Sequence, residues 1–392
     1  MKKLFLFLFF FSIITGIVAQ ANWTQRADFG GAARDGAVGF SIGNMGYIGT
    51  GVDNGSNFFY KDFWEFNPVS NSWTQKADFG GGITAFAVGF SIASKGYVGT
   101  GAPSSSTGDK GFWEYDPTLN TWIQKKDFGG TGRAQAVGFS IGSKGYIGTG
   151  RNGSLGAFKD FWQYDPSNDS WTKKSDFGGT ARNFSVGFAI AGKGYIGTGD
   201  DGAFKSDFWE YDTLTDVWVQ KANFGGGSRR AAAGFSLGSK GYIGTGEPAL
   251  NDFWEFDPSN NTWTQKINFG GGGREFAVGF SIGANGYIGV GLTSVTSLKD
   301  FWEYSFTTGM NQNYNNSSIS IYPNPTVGEF TIYCSEPILN SLDIYDLCGK
   351  LVFQKTINPR LEKVNPKLGR GIYLYKILDK AKIISTGKLV VE

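Results

Sequence analysis

Apolar residues alternate with small or polar ones along most of this chain. In the segment FAVGFSI, Phe86, Val88, Phe90 and Ile92 fall on one side, and Ala87, Gly89 and Ser91 on the other. That period of two predicts a strand over 86–92. Three more strands follow in the same unit: 96–101 (GYVGTG), 111–116 (GFWEYD) and 121–128 (TWIQKKDF). A turn at 117–120 joins the last two, with Pro117 fixing φ and Asn120 tolerating unusual dihedrals. Nothing in this part of the chain has a helical period.

The unit recurs. Trp23, Trp73, Trp122, Trp171, Trp218 and Trp263 open six similar segments, 50, 49, 49, 47 and 45 residues apart. GYIGTG or a close variant begins at Gly46, Gly96, Gly145, Gly194, Gly241 and Gly286. A second series, Trp64, Trp113, Trp162, Trp209, Trp254 and Trp302, sits mostly in F-W-E-[YF]-[DN]-P. A period near 50 with four short strands predicts propeller blades. The region begins with an outer-type strand at 22–29 and ends with a third-type strand at 300–304. Joining the two completes the sixth blade and closes the ring without an open edge. Gly39, Gly89, Gly138, Gly187, Gly234 and Gly279 recur inside the first strand, where converging strands leave no room for a side chain.

Composition narrows the chemistry. The 392 residues include 60 Gly, 35 Phe, 17 Tyr and 12 Trp, an aromatic load that excludes a disordered glycine-rich chain. There is no His, which excludes a Ser-His-Asp triad, a His-ligated copper or zinc site and a His general base. With 36 Lys+Arg against 34 Asp+Glu, no basic excess points to nucleic acid. Lys2 and Lys3, an apolar run over 4–18 and the small-x-small step Ala19-Gln20-Ala21 predict a secretory signal peptide over 1–21. The run is shorter than the roughly 20 apolar residues of a membrane anchor, and no second such stretch follows, so no integral membrane segment is expected.

The repeats resemble Kelch repeats over 22–305: a glycine pair, a central tyrosine strand, then W-x-[YF]-D-P and N-x-W. They depart in having GTG after the tyrosine strand. The resemblance implies a six-bladed Kelch-like β-propeller of the galactose-oxidase type, without that enzyme's histidine-bearing copper site. The S-x-D-x-G-x-x-W boxes of sialidase propellers are missing too. After an Asn-rich linker at 306–318, residues 319–392 read as an antiparallel β-sandwich, so the expected class is all-β throughout. This tail resembles the C-terminal sorting domain of the type IX secretion system of Bacteroidetes. The resemblance rests on Tyr322, Pro323, Asn324, Pro325 and Gly328, on the 346–350 turn with Asp346, Gly349 and Lys350, and on Gly371, Tyr373 and Lys388. It implies that the type IX machinery is a partner and that the protein is released or held at the cell surface. The compartment permits a disulfide between Cys334 and Cys348, and leaves them free equally well.

Candidate ligand contacts lie at one mouth of the ring. Arg34, Arg133, Arg182, Arg229 and Arg274 recur before the first strand, with Thr84 in the second copy. Five arginines at a mouth would suit an acidic glycan or peptide. Exact repetition equally suits a structural role. Arg230 and Glu275 break the repetition and stand out individually. The loops between second and third strands vary in length and content, as binding loops on a rigid scaffold do, and Phe58, Phe59, Tyr60, Phe158 and Phe204 lie there. The tryptophans read as inter-blade fill with the indole N–H on backbone, and the repeated Asp before each F-W as a turn cap. No cofactor and no metal are expected. The functional expectation is a monomeric, non-catalytic module for extracellular glycan or protein. The alternatives are a polysaccharide lyase or hydrolase using Asp, Glu, Arg or Tyr, and a structural adhesion component.

Overall fold

A computed structural model describes residues 20–103, 108–153, 155–307, 319–334, 340–346, 350–357, 361–379 and 382–392. Residues 1–19 of the predicted signal peptide, nearly all of the linker, Gly349 and Cys348 lie outside the described residues, while Gln20 and Ala21 belong to the first strand. Ala21–Phe306 form one compact unit and the residues from Thr307 onward belong to another.

The first unit contains six four-stranded antiparallel sheets. In one, Val88–Ile92, Lys95–Gly99, Phe112–Asp116 and Thr121–Gln124 pair in sequence order. The sixth takes its outer strand from the far end of the unit: Gln20–Gln25 pairs with Phe301–Thr307. Arg26 secures that join, its guanidinium on the Glu303 carboxylate at 2.7 Å. The inner strands neighbour one another in order, and Val278–Ile282 returns to Val38–Ile42. The result is a closed, propeller-like ring, as the spare strand predicts.

Alternation becomes burial through this geometry. Val88, Phe90 and Ile92 are buried while Gly89 and Ser91 are not, and every inner strand repeats that pattern. Between adjacent sheets the rings stack edge-on: Phe112 meets Tyr164 and Trp171 at 4.7 and 5.0 Å between centroids. Glycine keeps this interface close. A Cβ on Gly286 would lie 2.2 Å from the Phe235 ring of the neighbouring sheet. Gly286→Ala should therefore cost about 1–3 kcal/mol through overpacking, read as a lowered thermal midpoint; an unchanged midpoint would refute the close approach.

The tryptophans divide. Trp73, Trp122, Trp171, Trp218 and Trp263 donate their indole N–H to the carbonyls of Ala27, Ala77, Lys126, Ser175 and Ala222, as expected. Trp64, Trp162, Trp209, Trp254 and Trp302 donate instead to the Asp two residues before them.

The second unit has a three-stranded sheet (Ile319–Tyr322, Phe330–Cys334, Leu361–Val364) and a four-stranded one (Leu351–Ile357, Asn340–Tyr345, Gly371–Asp379, Lys382–Val391). Phe330, Ile332, Leu342, Ile344, Ile377 and Leu389 fill its core. Asn324 gives the Y-P-N-P start a physical role. Its amide donates to the Lys388 carbonyl at 2.6 Å and accepts from the Val390 N–H at 2.8 Å, tying 324 to the terminal strand. Asp346 accepts the Lys350 N–H across the predicted turn, and the Tyr373 hydroxyl donates to the Gly369 carbonyl.

Candidate functional site

The chain enters each inner strand at one mouth of the ring, and three residues there have separate positions. The outermost of the three are Arg34, Thr84, Arg133, Arg182, Arg229 and Arg274, and all are buried. Each arginine grips the Asp of the following F-W step. Arg133 donates to Asp160 at 2.6 and 2.9 Å, to the Thr149 carbonyl at 2.8 Å and to the Thr131 carbonyl at 2.9 Å. Asp62, Asp207, Asp252 and Asp300 hold the others in the same way. The five arginines are therefore not a ligand mouth, and the repeated Asp is not a turn cap. An Asp that takes two arginine N–H bonds and an indole N–H has three of its roughly four lone-pair sites filled within the frame. Tyr60 and Phe158, also ligand candidates, lie over the Arg34 and Arg133 guanidiniums at 4.0 and 4.3 Å, and so complete this frame.

Two residues further on, the chain reaches the axis. Gly36, Phe86, Gln135, Phe184, Ala231 and Phe276 each adopt a left-handed backbone, with φ between 52° and 61°. Each N–H donates to the carbonyl of the equivalent residue next door, at 2.7–3.3 Å, so six hydrogen bonds close a circle. Phe86 thus leaves the strand that period two assigns it, because that strand begins at Val88. Its ring meets Phe184 and Phe276 edge-on at 5.5 Å, and those two meet at 5.0 Å. An aromatic triad covers the axis.

Between frame and axis lie the residues that differ from sheet to sheet. Main-chain bonds join each to the residue that opens the following variable loop: Asp35 to Val52, Ala85 to Ala102, Ala134 to Arg151, Asn183 to Asp200, Arg230 to Glu247, Glu275 to Leu292. Here the repeat is broken and charge varies. Arg230 is held between Asp200 at 2.6 Å and Glu247 at 2.5 Å, with Phe184 and Phe204 over its guanidinium. It is an anchored cation, not an open one. Glu275 is half-buried beside this cluster and its Oε2 is buried without a hydrogen-bond partner. Burial, then the neighbouring Glu247 charge, push its carboxyl up to about 7. Asp35 is buried, and burial pushes it up to about 6 against the opposing effect of the Ser297 hydroxyl, which donates to Oδ2 at 3.2 Å.

Asp35 opens on a cavity of about 480 Å³ bounded by Phe59, Phe86 and Phe276, with Asn54, Asn57, Gln135 and Arg151 as polar walls. This volume is in the range of small-molecule sites. Of the loop aromatics, Phe59 lines it, whereas Phe58 is 60 % exposed and packs edge-on to Tyr60. Sequence reasoning missed Asp35, Gln135 and Arg151. Their signal was present: Asp35 and Arg151 sit in series that vary from sheet to sheet, and Gln135 is the one polar side chain in its series. Among the described residues, no group of three or more Cys, Asp or Glu is placed to hold a metal ion.

Comparison with known proteins separates the two units. Residues 320–392 match the secretion system C-terminal sorting domain family. That match makes the tail an export signal, and the protein is secreted or surface-exposed through the type IX system. The ring region matches solved structures, among them one titled "Structure of YjhT", with a TM-score of 0.62 and 16 % identity over 70 % of this chain and 95 % of that one. At that identity the likeness carries the propeller-like fold alone. No curated protein matches the chain.

Proposed function

We propose that the protein is an exported six-bladed Kelch-type propeller over 22–305 whose mouth binds a glycan and cleaves it by acid–base chemistry. One observation carries this reading: the sixfold frame is broken at the mouth, where Asp35, Gln135 and Arg151 surround an aromatic-floored cavity. Aromatic faces with converging amide and carboxyl groups suit a sugar, whose C–H faces pack on rings while its hydroxyls take hydrogen bonds. Two carboxyls near neutrality support chemistry beyond holding. With Asp35 at about 6 and Glu275 at about 7, one accepts a proton while the other still carries one. Such carboxyls are the groups a hydrolase or lyase would use in a chain without His, with Asp35 the one that lines the cavity.

The test is release of new sugar ends from a panel of extracellular polysaccharides by the full exported chain. Asp35→Asn should lower turnover by about 10²–10⁴-fold with little change in KM, the usual range for losing a general acid or base. Binding without release by the wild type would sink the acid–base reading and leave a non-catalytic binding module, held at the cell exterior by its tail.

A further inference from the structure

The mouth carries two kinds of cation. Arg230 is neutralised by Asp200 and Glu247, and the five frame arginines are each bonded to an Asp. Arg151 differs. It is exposed, lines the cavity, and among the described residues has no carboxylate partner. The undescribed residues of this unit, 104–107 and 154, are Ser and Thr and bring no acid. The acids near the cavity are otherwise engaged. Asp35 is held toward its neutral form and bonded by Ser297. Asp53 turns to its own loop, accepting from the Ser56 hydroxyl at 2.6 Å and the Gly55 N–H at 3.1 Å. Gln135, beside Arg151 in the cavity wall, has a buried Oε1 without a partner. The cavity therefore presents a guanidinium without a carboxylate partner among the described residues, an aromatic floor and a carboxyl that below about pH 6 adds no charge.

We propose that the ligand is a carboxylated sugar, a uronic acid residue of an acidic glycan, and that Arg151 reads its carboxylate. This rests on the glycan reading above and narrows it. A guanidinium binds a carboxylate through two parallel N–H bonds, so Arg is suited to this charge and Lys less so. The Gln135 side chain lines the same wall, and the pyranose face packs against Phe59. The acidic-ligand proposal thereby moves from the five buried arginines to Arg151, which the repeat does not require.

Oligogalacturonate and the matching neutral galactose oligomer serve as probes, titrated calorimetrically into the full exported chain at pH 5.5 and 50 mM salt. The wild type should prefer the uronate by about 10–100-fold. Arg151→Gln should remove that preference by lowering uronate affinity at least 10-fold more than neutral-oligomer affinity, and Arg151→Lys should fall between. Arg151 is exposed and its strand pairing is main-chain, so an unchanged thermal midpoint confirms that each variant folds. Equal wild-type affinity for both oligomers, or a preference that survives in Arg151→Gln, overturns the carboxylate inference and leaves the glycan reading standing. Absence of binding to either oligomer overturns both.

Discussion

Asp160→Ala should destabilise the ring by about 3–5 kcal/mol. Arg133 is fully buried, and Asp160 supplies both of its ionic hydrogen bonds. Removing the acid leaves a guanidinium in the protein interior with only the Thr131 and Thr149 carbonyls. Stranding one member of a buried pair costs that much because the remaining charge has lost both water and partner. The Trp162 indole N–H, which also donates to Asp160, loses its acceptor in the same substitution. All twelve tryptophans lie in the ring unit, so tryptophan fluorescence during urea unfolding reports this unit alone. The second sheet supplies its own control. It has Thr84 for the arginine and Gly111 for the acid, and closes its share of the ring without either. Arg133→Thr with Asp160→Gly should therefore recover at least half of the loss, because no charge is left behind. A double variant as unstable as Asp160→Ala would mean that the pair contributes more than mutual neutralisation.

The frame was legible in the sequence because it repeats. Six copies of one alternation fix strand identity, and the spare outer strand at 22–29 closes the ring by counting alone. Three features resisted reading for the same reason: a repeat does not say what its members touch. Arg34 and its equivalents looked equally like a mouth and a brace, and only their burial against Asp62 and its equivalents decides. The indoles after those acids took carboxylate instead of backbone acceptors because the acid sits two residues away on the same strand entry. Phe86 continued the alternation of Val88 and Phe90 in sequence yet left it in space. Period two cannot register a left-handed residue that turns its ring to the axis. The candidate site is the complement of the frame. Asp35, Gln135 and Arg151 are visible only as departures from their series, so they become candidates once the series is placed at the mouth. Arg230 and Glu275 were found by that reasoning, though Arg230 proves to be held by two acids.

Asp35→Asn should stabilise the ring at pH 8 and leave it unchanged at pH 4. Burial raises the Asp35 carboxyl from 3.8 to about 6 in the folded protein. The folded state therefore binds this proton more tightly than the unfolded chain does. The resulting stabilisation is complete below about pH 3.8 and is lost as pH rises through about 6. Above that, a buried carboxylate opposes folding by about 2–3 kcal/mol, allowing for solvent screening at the mouth. Asparagine fills the same space without charge, so the variant escapes this cost only where the wild type is ionised. The gap in urea midpoint between the two proteins should open between pH 4 and 7 and stay level beyond. Other acids, among them Asp160, which its Arg133 partner holds below the usual carboxylate range against the opposing effect of burial, titrate below this window. They are common to both proteins and cancel in the difference. A gap that is absent at pH 8, or equally large at pH 4, would show that Asp35 is not held as a high-affinity proton site. A gap that opens as expected would mark Asp35 as an acid that weakens the fold at neutral pH, in a molecule where two of the other sheets place Ala85 and Ala134 at the equivalent position. The frame does not need a carboxyl there, so such a gap would favour the proposed role of Asp35 in the cavity over a structural one.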